Sequence, residues 1–430
     1  MRPPAILNHL PKGMIWPPIW AAVLLACTIP LPAWASPPPV PRSQLPRIQS
    51  HIHGKDAKLQ VRGLRDLANV EGNITKDLIR LLPRVLELCR ANDDNVAQAA
   101  LHVMGNFARL SEAREKHGRE MIEVIGNALD SKNADIRTAA LYVMDPDLVD
   151  EQFERAAPLL VSATVDEVEA ARVSAVITIG KIQKADAKIV NSLRTALSDP
   201  AMQVRRQSAC SIASLAPASN AAIPELLKAM RDEHAEVRGG ASYALQKMGD
   251  DAVEGLLALT DDPQATTRGL ALDALATGYL KGAKHDERIY AMVEQKLDDP
   301  DPAVQASAAI RISVFGTLKA RVMAIPILVK TAADKKVDTN GNAYLGIHRC
   351  VKVFAANLTD QQKASDAYRG FRQFDKAFLK SFLLETQRKY KGIEGGDVMP
   401  LFKAAAARGI APEHRDFASE VLMWLLDGEK

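Results

Sequence analysis

The chain has 430 residues, of which 47% are hydrophobic and 25% charged, and its formal net charge at pH 7 is +3. These values are typical of a folded protein and exclude a disordered chain, and so small a charge gives no reason to expect a nucleic-acid partner. Only 5% of the residues are aromatic, and a body rich in Ala, Leu and Val favours closely packed helices.

Residues 1–35 are predicted to be a cleaved secretory signal peptide. Arg2 and Lys12 form a basic start, the segment "IWAAVLLACTIPL" is apolar, and Ala33 and Ala35 occupy the two small-residue positions of a cleavage site. The several prolines of this region disfavour a membrane-spanning helix. We therefore expect an exported protein, periplasmic or secreted, whose first mature residue is Ser36.

A lipoprotein is the alternative form of export. The segment "LLAC" at 24–27 resembles a bacterial lipobox, in which Cys27 would carry a lipid and anchor the protein to a membrane. Leu25 is a weak residue at the second place of that motif, so cleavage after Ala35 is favoured.

A proline-rich segment follows the signal. It reads "SPPPVPRSQLP" over residues 36–46, and such a composition forms an extended, semi-rigid spacer. We therefore expect a linker over residues 36–50 and a folded body from residue 51.

The body is built from recurring helices. The segment "AALHVM" at 99–104 returns as "AALYVM" at 139–144. Several predicted helices begin with one residue, aliphatic in all but one case, which we call the anchor, and small or apolar residues follow it at about +4, +8 and +11. This spacing marks one face of an α-helix. The anchors are Val96, Ile136, Val168, Val204, Val237, Thr267 and Val304.

A second helix precedes each of these. "PRVLELCRANDDNV" at 83–96 and "PELLKAMRDEHAEV" at 224–237 begin with proline and end on the anchor, and proline suits the first turn of a helix. Each unit is thus helix A, a polar turn and helix B, and such units must stack to bury their apolar faces. We predict an all-α fold, a right-handed α-solenoid of stacked antiparallel helix pairs over residues 51–357.

The segments "DPAMQVRRQSACSIASLA", "HAEVRGGASYALQKMG" and "DPAVQASAAIRISVFG" carry a family resemblance. They resemble the HEAT-repeat superfamily, which is armadillo-like, and particularly the short bacterial HEAT-like repeats of phycobilisome lyases. The resemblance implies a solenoid and is nearly silent on activity. The favoured role is a non-catalytic scaffold for protein–protein interaction. A lyase-like or chromophore- or ligand-handling protein is the first alternative. An anion- or nucleic-acid-binding solenoid, as in HEAT-like DNA glycosylases, is the second.

One repeat departs from the pattern. In the unit that opens at Val168, Arg172 stands where the other units have a small residue. We therefore expect that unit to be irregular or kinked.

Acidic residues recur at one position of four consecutive repeats, five residues before the anchor. An acidic edge for cations or a basic partner is one interpretation. The favoured one is that each carboxylate caps helix B and pairs with an arginine of a neighbouring repeat. The residues are Asp199, Asp232, Asp262 and Asp299, and Arg205, Arg238 and Arg268 follow the first three anchors.

Residues 358–430 are predicted to form a helical C-terminal cap. One long helix is expected to carry a phenylalanine stripe and a basic stripe on opposite faces, with further helices at 397–408 and 412–427. The favoured interpretation is that the phenylalanines cover the last repeat while the basic face is solvated; the alternative is docking to lipid headgroups or an acidic partner. The stripes are Phe371, Phe374, Phe378 and Phe382, and Arg369, Arg372, Lys376 and Lys380.

No catalytic, cofactor or metal site is predicted. The sequence has no G-x-S-x-G, H-E-x-x-H, Walker or dinucleotide-binding motif. Cys89, Cys210 and Cys350 lie in apolar helical patterns and are expected to be buried free thiols. Enzymatic activity is left open, with a non-catalytic role favoured.

Cleavage after Ala35 predicts the mass of the native protein. Intact-mass spectrometry of the chain purified from its source should give a species that begins at Ser36, because the A-x-A site lies directly before it. A lipid-bearing fragment that begins at Cys27, or a full-length chain, would contradict this prediction.

Overall fold

The computed structural model describes residues 39–278, 286–334, 341–390, 397–407 and 409–428. The predicted signal peptide, with Cys27, lies outside these residues. Within them, secondary structure is helical apart from an isolated bridge between Val40 and Val70. None of the described helices combines the length and the apolar character that a membrane crossing requires. The described residues divide into an N-terminal unit that ends at Ala252 and a C-terminal unit that begins at Val253.

The N-terminal unit consists of antiparallel helix pairs joined by short turns. Its helices are α1 (Leu45–His53), α2 (Ala57–Ala68), α3 (Leu82–Leu88), α4 (Asp94–Ala108), α5 (Ser111–Leu129), α6 (Ala134–Tyr142), α7 (Pro146–Glu151), α8 (Phe153–Ala163), α9 (Glu169–Ile179), α10 (Ala187–Ala196), α11 (Met202–Ser214), α12 (Ile223–Ala229) and α13 (Ala235–Lys247). The A helices are α3, α5, α8, α10 and α12. Each packs on the B helix that follows it: α4, α6, α9, α11 and α13.

The folded body begins earlier than the sequence indicated. The N–H of Val40 donates to the carbonyl of Asn69 at 2.9 Å, and α1 buries Ile48 and Ile52 completely. Pro46 lies in the first turn of α1, where a missing N–H has no cost. The predicted linker over residues 36–50 is therefore wrong from residue 40 onward, because burial of the two isoleucines offsets the extended preference of the prolines.

Successive B helices of the N-terminal unit contact each other along one row. The anchors Val96, Ile136, Val204 and Val237 are buried at these contacts. The residue four places later is small and completely buried in each case, which lets neighbouring helices approach closely. These residues are Ala100, Ala140, Ser208 and Ala241.

The repeat at residues 169–179 is regular, contrary to the expectation of a kink. Val168 lies before the first turn of α9 and is half-buried, whereas Ala171 is completely buried. The anchor of this repeat is therefore Ala171, three residues after the predicted one. With that register, Arg172 follows its anchor as Arg205 follows Val204.

The C-terminal unit is at first built from similar helix pairs and then departs from that pattern. Its helices are α14 (Val253–Leu259), α15 (Ala265–Gly278), α16 (Glu287–Gln295), α17 (Pro302–Phe315), α18 (Leu318–Ala333), α19 (Asn342–Asn357), α20 (Ala364–Phe371), α21 (Lys376–Tyr390), α22 (Met399–Ala407) and α23 (Pro412–Asp427). The B helices α15, α17 and α19 contact one another in sequence. Helices α20 and α22 then pack on α19.

An aromatic cluster joins the last repeat to the helices that follow it. The ring of Phe354 on α19 lies 5.6 Å from that of Phe371 on α20. Phe371 also lies 5.6 Å from Phe402 and 5.0 Å from Phe417. Rings at these separations bury a large apolar area, so the cluster covers the end of the repeat stack.

The predicted long C-terminal helix is two helices. Helix α20 ends at Phe371 and α21 begins at Lys376, because the Asp375 carboxylate accepts the N–H of Phe378 at 3.0 Å and so begins a new helix. The prediction of two opposite stripes on one helix is therefore wrong. Phe374 is buried and Phe378 only half-buried.

Candidate functional site

Three arginines of the N-terminal unit each bind the aspartate of the following repeat. The Nε atoms of Arg137, Arg172 and Arg205 donate at 2.7 Å to Asp166, Asp199 and Asp232. A second guanidinium nitrogen of each arginine donates to the other carboxylate oxygen at 3.1, 3.0 and 3.1 Å. In the C-terminal unit, Arg268 binds Asp299 in the same way, at 2.9 and 2.7 Å. We call these four pairs the Arg–Asp ladder.

Each ladder arginine also holds the turn of its own repeat. The Nη1 atom of Arg205 donates to the carbonyl oxygen of Asp199 at 2.9 Å, six residues earlier. Arg172 makes the corresponding bond to Asp166, and Arg268 to Asp262, both at 2.9 Å. One guanidinium therefore joins the turns of two successive repeats.

The aspartates organise the start of helix B through the same oxygens. Asp199 accepts the N–H of Ala201 at 2.8 Å, and Asp232 accepts that of His234 at 2.9 Å. The ladder in the C-terminal unit ends at Gln305, whose amide donates to the carbonyl of Asp299 at 2.8 Å but has no guanidinium to pair with a carboxylate.

The four predicted acidic residues thus lie at the turns, not on an open edge. Asp199, Asp232 and Asp299 face arginines, and Asp262 is buried, with its carboxylate accepting the N–H of Gln264 at 2.9 Å. For Asp199, Asp232 and Asp299 this geometry is the predicted pairing with an arginine of a neighbouring repeat. The prediction of capping is wrong for these three, because their carboxylates accept the N–H of the residue just before helix B and no N–H of its first turn. Within the described ranges, no group of three or more His, Cys, Asp or Glu side chains is placed to hold a metal ion.

Sequence reasoning missed two members of the ladder. Arg137 and Arg172 belong to it, but the wrong anchor at Val168 hid the regular position of Arg172. The signal was present, since Arg172 precedes its partner by 27 residues and Arg205 does so as well.

Pairing changes the acidity of the ladder carboxylates. Burial raises the pKa of Asp232, but hydrogen bonds from Arg205 and from the His234 N–H outweigh it and hold the pKa below its ordinary value. The carboxylate is therefore ionised in the folded protein throughout the neutral range.

The four basic residues predicted to bind an anionic surface are all exposed. Arg369 pairs with Asp366 at 3.1 Å, and Lys376 pairs with Glu420 at 2.5 Å. The ammonium groups of Lys376 and Lys380 lie 5.9 and 6.0 Å from the Trp424 ring, which permits cation–π attraction. Arg372 lies 5.8 Å from the Tyr368 ring. The break between α20 and α21 divides the four into two pairs.

The B helices of the N-terminal unit expose an aromatic pair. Tyr142 is 61% exposed, and its ring lies 6.3 Å from that of His102 in an edge-on arrangement. The two residues hold the same place in successive repeats, in "AALHVM" and "AALYVM". Exposed tyrosine on a rigid helix is a frequent anchor in protein interfaces.

A groove of about 640 Å³ lies where α9 and α11 end. Residues 180–183, 185 and 214–218 line it, and the Ala216–Pro217 peptide bond in its wall is cis. The polar side chains of this lining are Lys181, Gln183 and Ser214, which include no carboxylate, imidazole or thiol. The groove therefore lacks a pair of groups for acid–base catalysis.

The three described cysteines are buried and form no disulfide with one another, as predicted. Burial raises the pKa of Cys89 well above its ordinary value and that of Cys350 to about 11. Neither thiol forms the thiolate that nucleophilic chemistry needs at neutral pH.

Comparison with known proteins places this geometry among repeat proteins. Residues 190–276 match the family described as HEAT repeats. No curated protein matches the chain in sequence.

Solved structures share the fold at low sequence identity. A mutant of Kap121p has a TM-score of 0.59 at 14% identity, over 94% of this chain and 44% of that one. A chain of the Kap95p–RanGDP complex has a TM-score of 0.52 at 11% sequence identity, over 92% of this chain and 57% of that one. An engineered protein has a TM-score of 0.43 at 16% sequence identity, over 90% of this chain and 98% of that one. The chain thus spans less than two thirds of the Kap121p and Kap95p matches, and the two likenesses show an all-α solenoid fold.

Because of the Arg–Asp ladder, we expect the free energy of unfolding of the protein to depend on pH. Arg205→Ala leaves the Asp232 carboxylate without its guanidinium, and we expect a loss of about 3 kcal/mol in the free energy of unfolding at pH 7. Because the pKa of Asp232 is lowered by folding, this contribution is present above the unfolded pKa and is lost as the pH falls through the folded one. The difference from wild type, measured by urea denaturation, should therefore shrink below about pH 4.

Arg155→Ala is the matched control, since Arg155 is exposed on α8 and its loss should cost no more than about 0.5 kcal/mol. The double variant Arg205→Ala/Asp232→Ala completes a thermodynamic cycle. A coupling energy near zero would show that the pair does not hold the repeats.

Proposed function

We propose that this chain, which belongs to the HEAT-repeat superfamily, is a non-catalytic exported scaffold that binds a partner protein in the periplasm or cell envelope. The observation that carries the proposal is the row of B helices, held in register by the Arg–Asp ladder within each unit. A row of this kind presents side chains from several repeats on one rigid surface. Such surfaces bind with little loss of conformational entropy.

The exposed pair of Tyr142 and His102 supplies an anchor on this surface. Tyrosine gives a large contact area with few rotatable bonds and is enriched where interfaces are strongest. In the structurally similar Kap95p complex, the partner is the protein RanGDP. Export is supported by the composition of residues 1–35.

The lyase-like alternative is less well supported. A chromophore attached or transferred through sulfur needs an accessible thiolate, whereas Cys89, Cys210 and Cys350 are buried. The scaffold proposal needs no such group.

The C-terminal basic residues supply a second contact in this proposal, to an anionic surface. Arg369, Arg372, Lys376 and Lys380 are exposed and lie within twelve residues of one another. Two of them lie beside Trp424, and tryptophan with lysine is a combination that favours the interface of a membrane.

Site-directed photo-crosslinking tests the scaffold proposal. A photoreactive phenylalanine analogue placed at Tyr142, in the protein expressed in its native envelope, should form a reproducible adduct of one mass. The same analogue at Lys188, exposed on the A helix α10, should form none, because the partner is expected on the B-helix surface. Equal labelling at both positions, or none at Tyr142, would reject the proposal.

Charge reversal tests the second contact. The variant Arg369→Glu/Arg372→Glu/Lys380→Glu should keep the wild-type melting temperature, since exposed ion pairs contribute about 0–1 kcal/mol. Its binding to vesicles that contain anionic lipid should be lost, and wild-type binding should weaken as salt shortens the Debye length from about 10 to about 3 Å. If the wild-type protein does not bind anionic vesicles at low salt, this contact is excluded.

A further inference from the structure

Helix α19 carries a group of cations on the face that it turns away from the core. Its buried residues are Ala343, Gly346, Ile347, Cys350, Val351, Phe354 and Ala355. His348, Arg349 and Lys352 lie on the opposite face and are half-buried. At 100° per residue these three positions fall within one sector of about 100° on the helix.

Neighbouring helices add to this charge. Arg311 lies on α17, the preceding B helix, and is close enough to Arg349 to lower its pKa. Lys389 and Tyr390 lie at the end of α21, and the Tyr390 ring stacks on His348 at 4.6 Å with an interplanar angle of 24°. We call Arg311, His348, Arg349, Lys352, Lys389 and Tyr390 the Arg349 patch.

The guanidinium of Arg349 has no charge partner among the described residues. No hydrogen bond or ion pair joins it to another residue in the part of the chain that the structure describes, unlike the ladder arginines. Two carboxylates lie nearby, and neither pairs with Arg349. Asp273 accepts from Arg311 at 3.1 Å and from Ser307 at 2.5 Å, so it offsets the charge of Arg311 within the patch, and Glu385 interacts with Tyr344.

The surroundings disfavour a positive charge at this place. Partial burial, Arg311 and Arg321 lower the pKa of Arg349. Burial, Lys352, Arg349 and Lys389 likewise lower the pKa of His348, whose Nδ1 atom is shielded from solvent and has no hydrogen-bond partner among the described residues. A half-buried cation among other cations costs stability, and proteins keep such arrangements where a ligand supplies the missing charge.

We propose that the Arg349 patch binds an extended, carboxylate-rich segment of a partner protein. The inference rests on the scaffold function proposed above and names the chemistry of its partner. Guanidinium and ammonium groups on successive helices bind carboxylates spaced along such a segment, with Arg349 as the bidentate central contact.

The spread of the patch favours a peptide over a small anion. Packed helices lie 8–10 Å apart, so cations on α17, α19 and α21 extend over about 20 Å. An extended peptide covers this span with about six residues at 3.3 Å each. The patch also lacks a free ring for base stacking, because Tyr390 is covered by His348; single-stranded nucleic acid is therefore the less favoured polyanion.

Fluorescence anisotropy with a labelled peptide of about ten glutamates, at about 50 mM salt, tests the site. Wild-type protein should bind the peptide saturably, and Arg349→Glu/Lys352→Glu should weaken binding at least about tenfold. The matched control is Lys319→Glu/Lys330→Glu, which makes the same change in net charge at two exposed lysines of α18 and should bind like wild type.

Two further measurements separate binding from a structural role. The pKa of His348, followed by NMR, should rise when the peptide binds, because carboxylates offset the surrounding positive charge. In the absence of peptide, Arg349→Leu should raise the melting temperature by about 2 °C, since it removes an uncompensated charge. A fall in melting temperature would show that Arg349 is a structural residue and would overturn the proposal.

The remaining outcomes are also decisive. If the control variant loses as much affinity for the peptide, the attraction is non-specific and the proposal is overturned. If the wild-type protein binds single-stranded DNA more tightly than the peptide through the same residues, the ligand of the patch is a nucleic acid and the proposal is likewise overturned. If Arg349→Glu/Lys352→Glu loses no peptide affinity while the adduct at Tyr142 persists, the patch assignment fails and the scaffold function stands.

Discussion

The guanidinium–carboxylate bond between successive turns is the interaction on which the rest of the structure depends. An apolar contact between two helices is tolerant of sliding, because many positions along an Ala- and Leu-rich face bury similar areas. The bidentate bond between Arg205 and Asp232, with both side chains 11% exposed, has one geometry only. At the four boundaries where it is made, this bond therefore fixes the register of one repeat on the next, and the small residues at the helix contacts then fit at close range.

This dependence explains why the same aspartate performs two functions. Its carboxylate fixes the turn before helix B by accepting a backbone N–H two residues later and also receives the arginine of the preceding repeat. A carboxylate that made only the first contact would leave the repeats joined by apolar packing alone. A guanidinium without its carboxylate would be a partly buried charge, which is costly.

Much of this fold could be predicted from the sequence, and the errors have physical causes. Period and apolar spacing identified the helix pairs, because a buried face repeats every turn whatever its neighbours are. The register at Val168 was wrong because an aliphatic residue beside a turn resembles an anchor, and only the position of Arg172 relative to Asp199 distinguishes them. The break at Asp375 was missed because the phenylalanine spacing continues across it, while the capping bond to Phe378 decides where the helix starts. The Arg349 patch was not predicted because its members come from three helices, and no local pattern in the chain brings Arg311, Arg349 and Lys389 together.

Gln305 makes one repeat different from its neighbours for any duplication of helix pairs. Tandem duplication of a helix pair such as α10 with α11 inserts both an arginine and an aspartate, so each new boundary has its donor and its acceptor. A copy of the pair that contains Gln305 brings an amide in place of the guanidinium, and the aspartate placed after it would begin a helix without a charged partner. Duplication of a pair such as α10 with α11 therefore keeps the ladder pairing, whereas duplication of the pair that contains Gln305 interrupts it.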